Sequence, residues 1–418
     1  MNLRIFGTCR RLLLLILIFW WPTFALAFVD PMDQPPPHSS LGKFYHDAEW
    51  AFFPIPIVKT SPAEGTTFGI MPVVTASGKE GELKTIIAPA GTYNDTTKYG
   101  GFVAFYLYPQ PDTVFMFFGE LAKRYAREAT VRFDRFPKEG NAFIYQGGFS
   151  YRRYPFERFF GFGPETQPAN ETNFVSDRIV ADITAGYRLI SAFTIRQTLK
   201  FDRWDLRSHA KEDVADTLQT FAGNSEVVPA KALIERLELA YDTHQNPLTG
   251  HGNLVSLTFV GASAALGSDH SFYGYDFRTK WTRGLMNDRF VTVISGIFDQ
   301  RFGNTIPFYF QSMLGGPETL RAFIERRFSG RHRMSIDLEE RIELGNWIIA
   351  NTATAISLDP FFSVGQVFND FSEIKYRRLQ PVAGFGIRGK AKPSVLGRLD
   401  FGFGREGMQI YATLDYPF

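Results

Sequence analysis

Apolar and polar residues alternate along most of the chain beyond about residue 50. Residues 335–344 give a clear example, because their apolar side chains fall on one face and their charged side chains on the other. The apolar face comprises Ile336, Leu338, Ile342 and Leu344, and the charged face comprises Asp337, Glu339, Arg341 and Glu343. Residues 233–242, 253–261 and 395–404 follow the same rule. A period of two predicts β-strands with two different faces.

The last residues of the chain repeat this pattern. One face carries Ile410, Leu414, Tyr416 and Phe418, and the other carries Tyr411, Thr413, Asp415 and Pro417. The closing strand of a bacterial outer-membrane barrel has this form, with an aromatic residue at the membrane interface. An amphipathic edge strand of a soluble sandwich has it too, so these residues alone leave both structures open.

The amount of strand favours a closed barrel. About 370 residues of alternating segments follow one another, with Gly, Pro, Asn and Asp between them and almost no helical pattern. One sandwich is normally smaller, and a long sheet removes its exposed edges by closing. Because about 9–11 residues span a membrane as a tilted strand, the chain length predicts an all-β, transmembrane antiparallel β-barrel of roughly 16 strands.

The N-terminal residues predict export. Arginines within the first eleven residues precede an apolar stretch at 12–21 and a small-x-small cleavage site at 25–27, as in a secretory signal peptide. That apolar stretch is too short to cross a bilayer, so no transmembrane helix is predicted. The predicted division is a signal peptide at 1–27, a polar, proline-rich spacer at 28–50 and a barrel at 51–418.

Composition argues against several classes of protein. The single cysteine, Cys9, lies in the predicted signal peptide, so no disulfide, thiolate metal site or cysteine nucleophile is expected in the mature chain. A formal charge of +2 gives no basic excess for nucleic acid. The histidines are scattered and no G-x-S-x-G occurs, so neither a catalytic residue, a metal nor another cofactor is predicted. The 43 Phe and 17 Tyr are in excess, and the interface girdles of a barrel would explain them.

Residues 315–323 read Gly-Gly-Pro-Glu-Thr-Leu-Arg-Ala-Phe. They resemble the long inserted loop of the BamA/TamA-like outer-membrane assembly factors, also called bacterial surface antigens. In that family a glycine pair precedes a Val/Leu-Arg-Gly-Phe/Tyr tip, the loop folds into the lumen, and its arginine meets acidic groups on the inner wall. The matching residues are Gly315, Gly316, Leu320, Arg321, Ala322 and Phe323, with Ala322 where the family has glycine.

The resemblance also implies inner-wall partners for Arg321. Residues 337–344 are similar to the family strand that carries Glu-x-Arg, which makes Glu339 the expected partner. A second family partner is an aspartate in Phe-x-Asp-x-Gly, and Ser363 stands at that position, which predicts a weaker clamp. Residues 159–166, 241–247 and 384–388 also resemble family motifs. The G-x-G-x-x-G at 384–389 lies within an alternating strand, so we do not interpret it as a dinucleotide site.

The function implied by this resemblance is the insertion or translocation of proteins, or of lipids, at the outer membrane. The spacer is too short for the periplasmic domains of typical members, so a barrel-only protein is expected. Expected partners are outer-membrane lipids and unfolded outer-membrane protein clients, without nucleic acid; the oligomeric state stays open. The alternative is a passive pore or a structural surface antigen with no assembly role.

If the barrel closes, its first and last strands must pair at a seam. The expected first strand, 66–76, contains Pro72, and the last strand contains Pro417 and ends on Phe418. Proline cannot donate to a ladder. One interpretation is a weakly paired seam that opens laterally and accepts a client strand. The other is that Pro72 sits at a bulge and Pro417 lies beyond the last hydrogen bond.

Overall fold

The computed structural model describes residues 44–61, 64–78, 83–110, 112–137, 142–244, 251–286, 288–349, 352–391 and 395–415. The predicted signal peptide, most of the predicted spacer, and Pro417 and Phe418 lie outside these residues. The strands are β1 Glu49–Ser61, β2 Gly65–Ser77, β3 Leu83–Asn94, β4 Lys98–Gln110, β5 Thr113–Ala122, β6 Arg127–Arg135, β7 Phe143–Phe159, β8 Thr172–Ile190, β9 Phe193–Arg207, β10 Ala215–Asp216, β11 Ala230–Asp242, β12 Gly252–Ala262, β13 Phe272–Leu285, β14 Phe290–Phe302, β15 Ser312–Leu314, β16 Phe328–Gly330, β17 His332–Ile349, β18 Thr352–Phe368, β19 Gln380–Ala391, β20 Val395–Gly404 and β21 Gly407–Asp415.

These strands form one 19-stranded sheet and a separate hairpin of β15 and β16. The two-residue β10 pairs in parallel with β8, and the remaining eighteen strands of the sheet pair antiparallel in chain order. The predicted all-β antiparallel fold is therefore confirmed, with two more long strands described than the 16 expected. Strands β1 and β21, at the two ends of the sheet, are also in contact.

The alternation along each strand gives the sheet two different faces. We call the face that packs against residues 303–331 the inner face, and the opposite face the outer face. In β17, Ile336 and Leu338 are exposed on the outer face, whereas Glu339 on the inner face is buried. Phe68, Leu121 and Ile183 are other large apolar side chains exposed on the outer face. The hydrophobic face predicted from the pattern is thus the one that points away from the interior.

Long connections gather at one end of the sheet. They follow β7, β9, β14 and β18, and contain the short helix α1 (Thr217–Thr220) and the 3₁₀ turns Pro168–Asn170, Phe308–Phe310, Phe371–Glu373 and Tyr376–Arg378. A further 3₁₀ turn, Ala264–Leu266, lies between β12 and β13. Asp216 caps α1 by accepting the backbone N–H groups of Leu218 and Gln219, at 2.7 and 3.1 Å. No helix of the described chain is long and apolar enough to cross a membrane.

The first described strand is β1, so the expectation that the sheet begins at 66–76 is wrong. That segment lies within β2, and Pro72 is paired with Pro54 of β1 and not placed at the seam. Strand β1 escaped prediction for a physical reason. It carries apolar residues on both faces and prolines at positions 54 and 56, which together conceal the alternation.

Buried apolar side chains form three separate clusters. The first lies beneath the long connections and includes Phe159, Trp204 and Phe308. The second joins residues 314–328 to β18 and β19. The third lies on the inner face of β1 to β4, around Met71 and Ile86. Since the second cluster contains the tip of a connection, that connection has folded onto the inner face.

Candidate functional site: the arginine cluster beneath the inserted loop

The connection between β14 and β17, residues 303–331, is the inserted loop. The β15–β16 hairpin forms its neck, with Ser312 opposite Gly330. Gly315 and Gly316 follow this neck with φ of 109° and 110°, a region that favours glycine. A Cβ on Gly315 would also lie 2.5 Å from the carbonyl oxygen of Ile324. The glycine pair is therefore needed for the sharp turn that sends the tip inward.

Arg321 lies at the tip of the inserted loop, and its side chain is only 8% exposed. Its Nη2 donates to Glu339 Oε2 at 2.8 Å, and its Nη1 donates to Asp400 Oδ1 at 3.3 Å. The guanidinium carbon also lies 3.7 Å from the ring centroid of Phe361. A buried charge needs partners of this kind, because without them its desolvation would not be compensated.

The same carboxylates bind further arginines of the inner wall. Glu339 also accepts from Arg341 Nε at 2.9 Å and from Arg388 Nη2 at 2.7 Å. Arg398 Nε lies 2.8 Å from Asp400, and Arg388 Nε lies 2.6 Å from Asp359. The arginine cluster consists of Arg321, Arg341, Arg388, Arg398, Glu339, Asp359 and Asp400. Because charges of both signs interleave, the loop arginine completes a network that spans β17 to β20.

Glycines on β20 make room for the loop tip. A Cβ on Gly402 would lie 2.3 Å from the carbonyl oxygen of Arg321, and one on Gly404 would lie 2.9 Å from Cβ of Ala322. Ala322 is fully buried, so its methyl group fits in place of the family glycine. Tyr411 of β21 donates its hydroxyl to the carbonyl oxygen of Phe323 at 2.6 Å. The sheet therefore contacts both the backbone of the tip, through β20 and β21, and the side chain of Arg321, through Glu339 and Asp400.

Leu320 and Phe323 anchor the tip by burial. Both are fully buried and pack in the second cluster with Leu314, Phe328 and Phe361. Leu320, Arg321, Ala322 and Phe323 of the predicted motif therefore lie at the tip on the inner face, where Arg321 contacts Glu339, and Gly315 and Gly316 lie at the neck. Their positions agree with the expected geometry, and their role in function remains a prediction.

Ser363, the other expected wall partner, lies on β18 opposite Asp337 and is fully buried. The described polar contacts of Arg321 are to Glu339 and Asp400. The carboxylate missing at position 363 is thus supplied from β20, which the sequence reasoning did not identify. The available signal was the charged face of 395–404, where Arg398 and Asp400 precede the small Gly402.

A second arginine fixes the loop near the long connections. The Arg327 side chain is fully buried; its Nε and Nη2 donate to Glu406 at 2.8 and 2.9 Å. Its Nη1 and Nη2 also donate to the hydroxyl and carbonyl oxygens of Thr166, at 2.8 and 2.7 Å. Burial lowers the pKa of the Arg327 guanidinium, and the Glu406 carboxylate opposes that shift. The motif at 159–166 thus contacts the loop directly.

One group of side chains resembles a hydrolase triad. His244 Nδ1 lies 2.6 Å from Asp242 Oδ1, and its Nε2 lies 3.1 Å from the hydroxyl of Thr282. Thr282 is only 2% exposed, so a substrate could not reach its hydroxyl. Across the described part of the chain, no group of three or more His, Cys, Asp or Glu is placed to hold a metal ion. The Asp242–His244–Thr282 contacts support a turn and not a reaction.

Comparison with known proteins identifies the fold. No protein-family model and no curated protein matches the sequence. Among solved structures, BamA from Haemophilus ducreyi lacking POTRA domains 1–3 matches with a TM-score of 0.54 and 12% identity, over 89% of this chain and 76% of that chain. CdiB from Escherichia coli matches with a TM-score of 0.49 and 12% identity, over 88% and 63%. The chain has the BamA-like barrel fold that its motifs predicted.

Proposed function

We propose that the protein is an exported outer-membrane β-barrel closed between β1 and β21. Support comes from the contact between these strands and from the large apolar side chains of the outer face, which suit a lipid environment. In this arrangement the inner face lines a lumen, the long connections face the cell exterior, and residues 44–48 enter from the periplasm. The predicted signal peptide would direct the chain to this location.

The proposed activity is assistance in the insertion or transport of proteins at the outer membrane. The observation that carries it is the inserted loop, held inside the barrel by Arg321, Glu339 and Asp400. A permanent pore would need no segment fixed across its interior. A plug that is anchored by separable ion pairs suits a barrel that changes state when a client arrives.

Planar-bilayer conductance tests whether the loop closes the lumen. The full mature protein is expected to conduct poorly, and deletion of residues 315–331 is expected to give a large, steady conductance. Arg321→Ala, which retains the loop, is expected to give intermittent openings between these two extremes. A high conductance in the unaltered protein would contradict a plugged barrel.

Client handling needs a separate experiment. Depletion of the protein in its host, followed by comparison of the outer-membrane proteomes, is expected to reduce a defined set of other barrels. Paired cysteines, one in β1 and one in β21, then test lateral opening, because the single native cysteine lies at position 9. Loss of assembly on oxidation and recovery on reduction are expected. Full activity with a locked seam would exclude client entry there.

A passive channel is the second candidate, favoured by the inner face of β6 to β14. That face carries ion pairs such as Arg178 with Asp202 at 2.7 Å and Arg301 with Asp276 at 2.6 Å. A charged wall of this kind suits water, as in a porin lumen. Conductance in the intact protein together with an unchanged proteome after depletion would favour this function over the first.

A further inference from the structure

A cationic pocket of about 240 Å³ lies among the long connections, outside the arginine cluster. Three connections contribute to its wall. The β7–β8 connection provides Glu165 and Gln167, the β18–β19 connection provides Lys375, Arg377 and Arg378, and the β20–β21 turn provides Arg405. The pocket therefore joins parts of the chain that are far apart in sequence.

Positive charge in this pocket exceeds negative charge. Glu165 is its only acidic lining residue, and it accepts from Arg378 Nε at 2.8 Å. The described polar contact of Arg377 is with the hydroxyl of the adjacent Tyr376 at 2.9 Å. Within the described chain, Lys375 and Arg377 have no carboxylate partner.

The neighbouring acids are already engaged elsewhere. Glu406 lies 3.8 Å from Arg405, but both of its oxygens accept from Arg327. Asp370 accepts the backbone N–H of Ser372, and Glu373 accepts that of Asn369, each at 2.8 Å. Neither Asp370 nor Glu373 lines the pocket, whose lining carries four cationic residues and one acidic residue and is therefore positive.

We propose that this pocket binds a phosphate group, either as free phosphate or as a phosphate monoester on the saccharide headgroup of a lipid. One guanidinium group can donate two parallel hydrogen bonds to two oxygens of a phosphate, and a lysine ammonium adds a compact positive charge. The volume equals roughly eight waters at about 30 Å³ each, which admits a phosphate with part of a sugar. Phe371, Ile374 and Tyr376 of the same connection are exposed and apolar, as an amphiphilic ligand would require.

Occupancy of the pocket would also tighten the inserted loop. Thr166 lies between the lining residues Glu165 and Gln167, and Glu406 follows Arg405 in the chain. These two residues hold Arg327 of the loop. A phosphate that draws the three connections together would therefore stabilise the loop in its docked position. Only the orientation toward the cell exterior, and with it access to a lipid headgroup, rests on the proposed function.

Calorimetric titration of the full mature protein in detergent tests the site. Inorganic phosphate is titrated first, followed by a phosphorylated saccharide lipid in mixed micelles and the same lipid after enzymatic dephosphorylation. The double variant Lys375→Gln/Arg377→Gln is expected to bind at least about tenfold more weakly, because it loses two charge-assisted contacts. Arg405→Gln provides a second variant on a different connection, should the first fail to fold.

Lys123→Gln/Arg124→Gln is the matched control, since these exposed residues lie in the β5–β6 turn at the same end of the sheet. It removes the same charge and is expected to bind as the unaltered protein does. Phosphate should also slow proteolysis of the inserted loop in the unaltered protein but not in Lys375→Gln/Arg377→Gln. Loss of lipid binding on dephosphorylation assigns the site to the headgroup, whereas binding of inorganic phosphate alone assigns it to a soluble ligand.

Equal binding by the unaltered protein and the folded pocket variants would overturn the proposal, as would absence of binding to either phosphate source. Because binding is measured on purified protein, this result is independent of any effect on client assembly. A failed phosphate titration would leave the proposed function standing, and an unchanged proteome after depletion would leave the phosphate site standing.

Discussion

The inner wall of β17 to β20 and the inner wall of β1 to β4 belong to one sheet but differ in chemistry. The first, the charged wall, carries the partners of Arg321 and the small Gly402 and Gly404. The second, the apolar wall, carries Met71, Val73, Ile86 and Ala88 and further apolar neighbours. Of these two walls, the charged wall is the one whose described residues contact the tip of the inserted loop.

The difference shows what docking requires of a sheet. Glycine admits the backbone of the tip, and carboxylates neutralise its arginine, so the charged wall is specific for one segment. Strands β2 to β4 of the apolar wall carry glycines but no carboxylate, and this wall lies beside the contact between β1 and β21. Stability should therefore depend strongly on single residues of the charged wall and weakly on those around the seam.

The largest effect is expected from Arg321→Ala. It leaves Glu339 and Asp400 buried with one partner fewer, and removing one member of a buried ion pair costs about 3 kcal/mol or more. Urea unfolding in lipid vesicles, followed by tryptophan fluorescence, measures the loss. Arg203→Ala is the control, because the Arg203–Asp205 pair is 51% and 42% exposed and an exposed pair contributes at most about 1 kcal/mol. Equal losses of unfolding free energy in the two variants would mean that the ion pairs of the charged wall stabilise the protein no more than an exposed pair does.

Gly402→Ala should have the next largest effect. Its Cβ would lie 2.3 Å from the carbonyl oxygen of Arg321, and overpacking of this kind costs about 1–3 kcal/mol. The loop should also become more sensitive to trypsin, which cleaves after arginine. Gly261→Ala is the control, since a Cβ there meets nothing within 4 Å. If trypsin cleaved both variants at the same rate, the glycines of β20 would not be what admits the tip.

Tyr411→Phe should cost about 1–1.5 kcal/mol, because it removes one of the two donors to the carbonyl oxygen of Phe323 and leaves only the backbone N–H of Gly316, at 3.1 Å. Urea unfolding in lipid vesicles, as for Arg321→Ala, measures this loss of unfolding free energy. Tyr273→Phe is the matched control, because Tyr273 is exposed on the outer face and a surface change is usually within about 0.5 kcal/mol. A loss no larger than that of the control would mean that β21 does not hold the loop.

The charged wall was largely predictable from the sequence, and the apolar wall was not. A Gly-Gly turn and an arginine among apolar residues indicated an enclosed arginine that needs a carboxylate, and the resemblance to the assembly-factor motifs implied Glu339 as that partner. Asp400 was missed because pairing across β20 depends on where the tip enters the sheet, which no local pattern reports. Strand β1 was missed because Pro54 and Pro56 interrupt a segment that is apolar on both faces. Alternation identifies a strand only where its two faces differ.

The smallest effect is expected from prolines beside the seam. Pro54 is paired with Pro72, and the β2–β3 register on either side, Ile70 with Gly91 and Val74 with Ile87, sets Pro72 opposite Pro89. The described β2–β3 pairing omits residues 71–73. Because proline has no backbone N–H, Pro72 and Pro89 together remove two donors from this part of the ladder. Pro72→Val with Pro89→Val should restore these donors and raise the free energy of unfolding by about 1 kcal/mol. Hydrogen exchange of residues 71–73, measured by mass spectrometry, should slow. Unchanged exchange would mean that the weak pairing comes from the apolar wall itself, so that the two walls differ in backbone pairing as well as in side chains.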